Sequence, residues 1–126
     1  MAENAKILLV EDDNFIVDIY QKKLGEVGYQ VTVANNGQEA IDALKKEKPD
    51  VMLLDLVMPY MDGFEVLEAM KKEGMTDEIS VILLTNLSQK EDVEKGMESG
   101  AKDYLIKSHF TPSEVVEKIK KWVPQV

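Results

Sequence analysis

The sequence predicts an α/β fold: a doubly wound, five-stranded parallel sheet, (βα)5, with helices on both faces. Three observations predict it. Five short apolar runs, Ile7–Val10, Val31–Ala34, Val51–Leu54, Val81–Leu84 and Tyr104–Ile106, are separated by longer amphipathic stretches. Runs this short and this apolar read as strands buried on both faces, the situation of parallel strands covered by helices. Helix-start signals recur between the runs, and with right-handed crossovers that alternation gives a doubly wound sheet.

The first run is followed by Ile16, Ile19, Tyr20 and Leu24, a stripe at helical spacing, and Gly25 and Gly28 stand where that helix should stop. The second run ends in Ala34-Asn35-Asn36-Gly37, a turn and cap, with Glu39 completing the Asn36 cap and Ile41 and Leu44 forming the next stripe. After the third run come the pair Asp62/Glu65, the stripe Phe64, Leu67 and Met70, and Gly74 as the stop. The fourth run is followed by Ser88/Glu91, by Val93 and Met97 at helical spacing, and by Gly100. Thr111/Glu114, with Pro112 at the first helical position, opens a last helix lined by Val115, Ile119, Trp122 and Val123.

A chain of 126 residues predicts a single domain over 1–126, and a last helix running almost to the end predicts no output domain. With 24 acidic residues against 15 basic, the formal charge of −9 argues against non-specific contact with nucleic acid or an anionic membrane. There is no cysteine and one histidine, which excludes disulfides, thiolate catalysis and a zinc site of the usual Cys/His kind. No apolar run exceeds four residues, far short of the ~18 that span a bilayer. A cytoplasmic location is therefore expected.

In an open α/β sheet, ligands bind beyond the carboxyl ends of the strands, near the switch in strand order. The residues there are Glu11, Asp12 and Asp13 after the first run, Asp55 after the third, Thr85 after the fourth and Lys107 after the fifth. Carboxylates converging on one sheet edge repel each other and need a cation or raised pKa values. Oxygen donors without His or Cys favour Mg²⁺. Lys107 adds a fixed positive charge and Thr85 a hydroxyl. A carboxylate beside Mg²⁺, an ammonium and a hydroxyl is the equipment for accepting a phosphoryl group. Each residue alone has an ordinary role: Asp13 or Asn14 as a helix cap, Thr85 as a structural hydroxyl, Lys107 as a solvated charge. Their joint placement carries the reading. A phosphohydrolase would want a second carboxylate two residues after Asp55, where Val57 stands. A flavin or nucleotide carrier would want a glycine-rich loop where Glu11-Asp12-Asp13 stands.

The segments Lys6-Ile-Leu-Leu-Val-Glu-Asp-Asp13, Glu39-Ala40-Ile41, Pro49-Asp50-Val-Met-Leu-Leu-Asp55-Leu-Val-Met-Pro59, Met61-Asp-Gly63, Val81-Ile-Leu-Leu-Thr85 and Gly100-Ala-Lys-Asp-Tyr-Leu-Ile-Lys107 run through nearly the whole chain. In them the sequence resembles a response-regulator receiver domain of two-component signalling, in the stand-alone, CheY-like form. The resemblance implies strand order 2-1-3-4-5 and makes Asp55 the phosphoacceptor. It makes Asp12 a direct Mg²⁺ ligand, Glu11 a ligand acting mainly through water, and the Val57 backbone carbonyl a further ligand. Thr85 would hydrogen-bond the phosphoryl group and move toward it, Tyr104 would swing inward as Thr85 moves, and Lys107 would pair with the phosphoryl oxygens. The donor would be a phosphohistidine on a histidine kinase or phosphotransfer protein, and a downstream protein would read the changed surface. The domain would be a monomer or a phosphorylation-dependent dimer, with no direct nucleic-acid or membrane contact. It would not be an enzyme, beyond taking part in its own phosphorylation and dephosphorylation. The alternative is a degenerate receiver acting as a phosphorylation-independent scaffold.

One departure stands out. The family usually has proline after the lysine, with a cis peptide, whereas Lys107 is followed by Ser108-His109-Phe110. A cis bond before Ser108 would cost about 3 kcal/mol more than trans, so a trans bond and a rebuilt loop are expected, with His109 an exposed loop residue. Val57, Asn86 and Leu87 stand where the family varies its rate of phosphate loss. Val57 and Leu87 are apolar and cannot orient an attacking water, which predicts slow loss of the phosphoryl group.

Overall fold

Strands and helices alternate along the chain as β1 (Lys6–Val10), α1 (Asn14–Val27), β2 (Gln30–Ala34), α2 (Gly37–Lys46), β3 (Val51–Asp55), α3 (Gly63–Lys72), β4 (Ser80–Thr85), α4 (Lys90–Glu98), β5 (Asp103–Ile106) and α5 (Pro112–Lys120), with a short 3-10 turn at Met75–Asp77. The computed structural model describes residues 5–56, 58, 61–85, 90–107 and 111–123. The expectations for Val57, Asn86, Leu87, the Ser88 cap, His109 and the bond before Ser108 lie outside those residues.

All strand pairings are parallel, in the order β2-β1-β3-β4-β5. Because side chains alternate along a strand, the sheet divides the core in two. Ile7, Leu9, Leu53, Ile82 and Leu84 face α1 and α5, where they meet Tyr20, Leu24, Val116 and Ile119. Leu8, Val10, Met52, Leu54 and Leu83 face the other way, against Leu44, Val66, Leu67 and Met70 of α2 and α3.

Three of the expected caps are in place. The Asn36 side chain accepts from the Glu39 amide, and Asp62 and Thr111 each form a reciprocal capping box with Glu65 and Glu114. Asp13 caps α1, accepting from the amides of Phe15 at 2.9 Å and Ile16 at 3.4 Å.

Several readings need correction. β3 and β4 are buried on both faces, but β2 alternates between covered and exposed residues because it is an edge strand with a neighbour on one side only. β5, the other edge, is likewise only partly covered. Gly28, in the left-handed region at φ 103°, ends α1, while Gly25 lies inside that helix. The inward stripe of α1 is Val17, Tyr20 and Leu24, with Ile19 turned to solvent. In α4 the buried residue is Gly96, not Val93 or Met97.

β5 is tied to α5 by Asp103, whose carboxylate accepts from the Tyr104 amide at 2.8 Å, Lys118 Nζ at 3.1 Å and the Trp122 indole N–H at 2.9 Å. Burial pushes this carboxyl up, but the Trp122, Tyr104 and Lys118 donors outweigh it and hold the group below its ordinary value of 3.8. A lowered carboxyl pKa contributes stability above the unfolded-state value, and that stability is lost as pH falls through the folded-state one. Asp103→Asn is therefore expected to destabilise by about 1–3 kcal/mol at neutral pH. In urea titrations the deficit should shrink as pH drops below the ordinary carboxyl value. A deficit that does not change with pH would remove the charge from this account.

Candidate functional site

The chain begins at β1 in the sheet interior, passes to the edge strand β2, and returns to β3 on the other side of β1. The carboxyl ends of β1 and β3 therefore flank the reversal of strand order, where an open α/β sheet leaves a crevice. Glu11, Asp12, Asp55 and Lys107 meet there.

Each is delivered by its strand. The Glu11 amide donates to Ala34 O at 3.0 Å, which continues the β1–β2 ladder one residue and turns the Glu11 side chain inward. Asp12, next in the chain, is exposed, while Glu11 is fully buried. Asp13 is spent on the α1 cap and stands apart from the acidic group. Asp55 is the last residue of β3, in register with Leu84, and is buried. Thr85 closes β4, also buried, in register with Ile106. Its carbonyl accepts from the Lys107 amide at 2.9 Å, so the β4–β5 ladder carries Lys107 to the same edge.

The Lys107 ammonium lies 3.0 Å from both Glu11 oxygens and 2.9 Å from Asp55 Oδ2. Two buried carboxylates thus share one cation, and the group carries excess negative charge unless a proton or a second cation joins it. Burial, then a hydrogen bond to Asp55 and that residue's charge, pushes the Glu11 carboxyl up to about 8, with Lys107 opposing the rise. Burial alone would lower the Lys107 pKa, but its contacts with Asp55 and Glu11 raise it on balance. Tyr20, read from sequence as a core residue, is one, yet it also lies in the field of this group. Burial raises its hydroxyl, Lys107 pulls it back and Glu11 adds to the rise.

One oxygen from each of Glu11, Asp12 and Asp55 lies within 4.8 Å of the others. Three hard oxygen donors, two buried and one at the solvent edge, with net negative charge, fit a hard divalent cation such as Mg²⁺. The ligand assigned to the Val57 carbonyl falls outside the described residues. Tyr104 lies on the edge strand with its side chain outward, 41% exposed.

Two contributors escaped sequence reasoning. The Asn35 side-chain amide reaches the Glu11 carbonyl at 3.5 Å, although Asn35 reads as a turn residue. Gly63, the first residue of α3, has no side chain to announce a role. A Cβ there would lie 2.6 Å from the Asp55 carbonyl oxygen and 2.8 Å from Leu56 Cα, so α3 starts directly against the backbone that carries Asp55. A groove of about 480 Å³ between α2 and the β1–β2 side of the sheet includes none of the converging residues in its lining.

A family model described as the response regulator receiver domain matches residues 7–120. The alkaline phosphatase synthesis transcriptional regulatory protein PhoP of Bacillus subtilis (strain 168) is 37% identical over 117 residues, covering 93% of this chain and 48% of that protein. The chain spans about half the length of the curated relatives it matches. Among solved structures, the Francisella response regulator 1452 receiver domain superposes with a TM-score of 0.85 at 33% identity, covering 94% of this chain and 96% of that one. The receiver domain of sensor histidine kinase PA1611 from Pseudomonas aeruginosa PAO1, described with a magnesium ion coordinated in its active-site cleft, gives a TM-score of 0.84 at 27% identity, covering 94% and 97%.

Proposed function

The chain belongs to the response regulator receiver domain family of two-component signalling, and on that premise we propose that Asp55 is its phosphoacceptor. The observation that carries the proposal is the double grip of Lys107, within 3.0 Å of Glu11 and Asp55 together. An ammonium held there is positioned to meet the oxygens of a phosphoryl group arriving at Asp55. The donor is a phosphohistidine of a histidine kinase or phosphotransfer protein. Its N–P bond breaks as an Asp55 oxygen–phosphorus bond forms, and the imidazole leaves neutral, taking the N–P electron pair and keeping the proton on its other ring nitrogen.

Asp12 and Asp55 would hold Mg²⁺, with Asp12 as the direct ligand, Glu11 acting mainly through water and the Val57 carbonyl as a further ligand. Bound Mg²⁺ supplies positive charge that lets the carboxylates stay ionised together and offsets the charge of the incoming phosphoryl oxygens. Thr85 donates its hydroxyl to the phosphoryl group and moves toward it, and Tyr104 turns inward from its exposed position. Moving such a switch from 1:99 to 99:1 takes about 5.5 kcal/mol of differential stabilisation, the order that an ammonium pair, a hydroxyl bond and a divalent ion supply together. A downstream protein reads the altered surface; the domain acts as a monomer or as a phosphorylation-dependent dimer, in the cytoplasm. Among the described residues no helix is long and apolar enough to cross a membrane. Val57 and Leu87 are expected to leave the acyl phosphate slow to hydrolyse.

Incubation with acetyl phosphate and Mg²⁺ tests this by intact mass. One phosphoryl group should be gained, the gain should vanish with chelator, and Asp55→Asn should not show it. Absence of any gain in the native protein would favour a scaffold that works without phosphorylation.

A further inference from the structure

Among the described residues, α4 buries little of itself against the rest of the molecule. Its one buried residue is Gly96, where a Cβ would lie 2.5 Å from Leu83 Cδ1, so the helix backbone rests on β4 two residues before Thr85. Val93 is only partly covered and Met97 is 36% exposed. By contrast α3 buries Gly63, Val66, Leu67 and Met70. The residue before Gly96 reaches sideways instead of down: Lys95 Nζ lies 4.5 Å from the centroid of the Phe64 ring.

Phe64 is the second residue of α3. It follows Gly63, whose amide donates to Leu56 O at 3.2 Å and where a Cβ would lie 2.6 Å from the Asp55 carbonyl oxygen. A shift of the Asp55 backbone therefore reaches the Phe64 ring through one residue, and reaches α4 through the ammonium over that ring. A second hold on α4, Gly96 on Leu83, is set by the strand that ends in Thr85. Both holds thus start beside groups that the proposed phosphorylation would disturb.

We propose that the Lys95–Phe64 contact is a latch that keeps α4 against α3, and that it couples α4 to the charge on Asp55. The coupling rests on the phosphoacceptor reading; the latch does not. A cation over an aromatic ring at an exposed site changes an equilibrium about two- to fivefold. By linkage, whatever favours the latched arrangement weakens, by the same factor, the binding of a phosphoryl mimic that favours the unlatched one.

The variants are Lys95→Met, which keeps the aliphatic stem, Phe64→Leu, which keeps the packing, and the pair combined. In the protein without added ligand, amide exchange over residues 94–101 should quicken about two- to fivefold in each single variant, and no further in the double. Unchanged exchange in Lys95→Met, or single effects that multiply in the double, overturns the latch. Beryllofluoride with Mg²⁺, titrated by calorimetry, should bind Lys95→Met about two- to fivefold more tightly than the native protein. Faster exchange with unaltered beryllofluoride affinity overturns the coupling and leaves the latch standing. A native protein that takes up no beryllofluoride at all overturns the phosphoacceptor reading and the coupling with it, and the exchange result then decides the latch alone.

Discussion

Lys107→Met, studied without metal at neutral pH, should lower the free energy of unfolding by about 2–4 kcal/mol. The substitution keeps the length and apolar character of the stem and removes the ammonium from between Glu11 and Asp55. Breaking a buried ion pair by deleting one partner costs more than the pair contributes, because the surviving charge stays buried and uncompensated. Here two carboxylates survive, one fully buried and the other nearly so. Part of the penalty is already relieved in the native protein, because the Glu11 carboxyl, pushed up to about 8, holds a proton at neutral pH. Two companion measurements separate charge from packing. Glu11→Gln in the Lys107→Met background should recover stability in alkaline solution, where the Glu11 carboxyl would ionise beside Asp55, since it removes that repulsion. Added Mg²⁺ should stabilise Lys107→Met more than the native protein, since no ammonium competes for the same oxygens. Equal Mg²⁺ stabilisation of both, with no rescue by Glu11→Gln, would mean that the loss came from the stem alone.

Gly63→Ala and Gly25→Ala should move stability in opposite directions. Both glycines are helical or at a helix start, and neither has positive φ, so alanine meets no backbone strain at either. Alanine in a helix interior is worth about 1 kcal/mol over glycine. At Gly25 a Cβ meets nothing within 4 Å, so Gly25→Ala should stabilise by about 0.5–1 kcal/mol. At Gly63 the nearest atoms are backbone, the Asp55 oxygen at 2.6 Å and Leu56 Cα at 2.8 Å, and neither can rotate away. Overpacking of that kind costs about 1–3 kcal/mol, and it should exceed the helix gain. Because the displaced backbone is that of Asp55 and its neighbour Leu56, Gly63→Ala should also slow phosphorylation by acetyl phosphate, which Gly25→Ala should not. Chemical denaturation of the two variants side by side checks the signs. A stabilised Gly63→Ala would contradict the close approach of α3 to β3.

Much of this arrangement is written in local patterns. The apolar runs mark all five strands, since a strand buried against helices has few places for polar residues. Glu11, Asp55, Thr85 and Lys107 are legible because they are polar residues at the ends of those runs. What is not legible depends on packing partners distant in sequence. Lys107 and Glu11 are separated by 96 positions, and their contact exists only because β1, β3, β4 and β5 lie in that spatial order. The half-exposure of β2 follows from its edge position, which its own residues do not announce. Gly96 and Gly63 make their contacts by lacking a side chain, so they leave no apolar signal, whereas Val93 and Met97 leave one without being buried. Gly25 misled for the complementary reason, being a glycine that no stop requires.

The central claim is that the phosphoryl group rests on Asp55, and peptide mapping tests it most directly. After treatment with acetyl phosphate and Mg²⁺, reduction with borohydride converts an aspartyl phosphate to homoserine, which mass spectrometry locates in the chain. The account predicts homoserine at position 55 and at no other carboxylate. Modification at Asp12 or Asp13, or a chain in which position 55 is still aspartate, would contradict it.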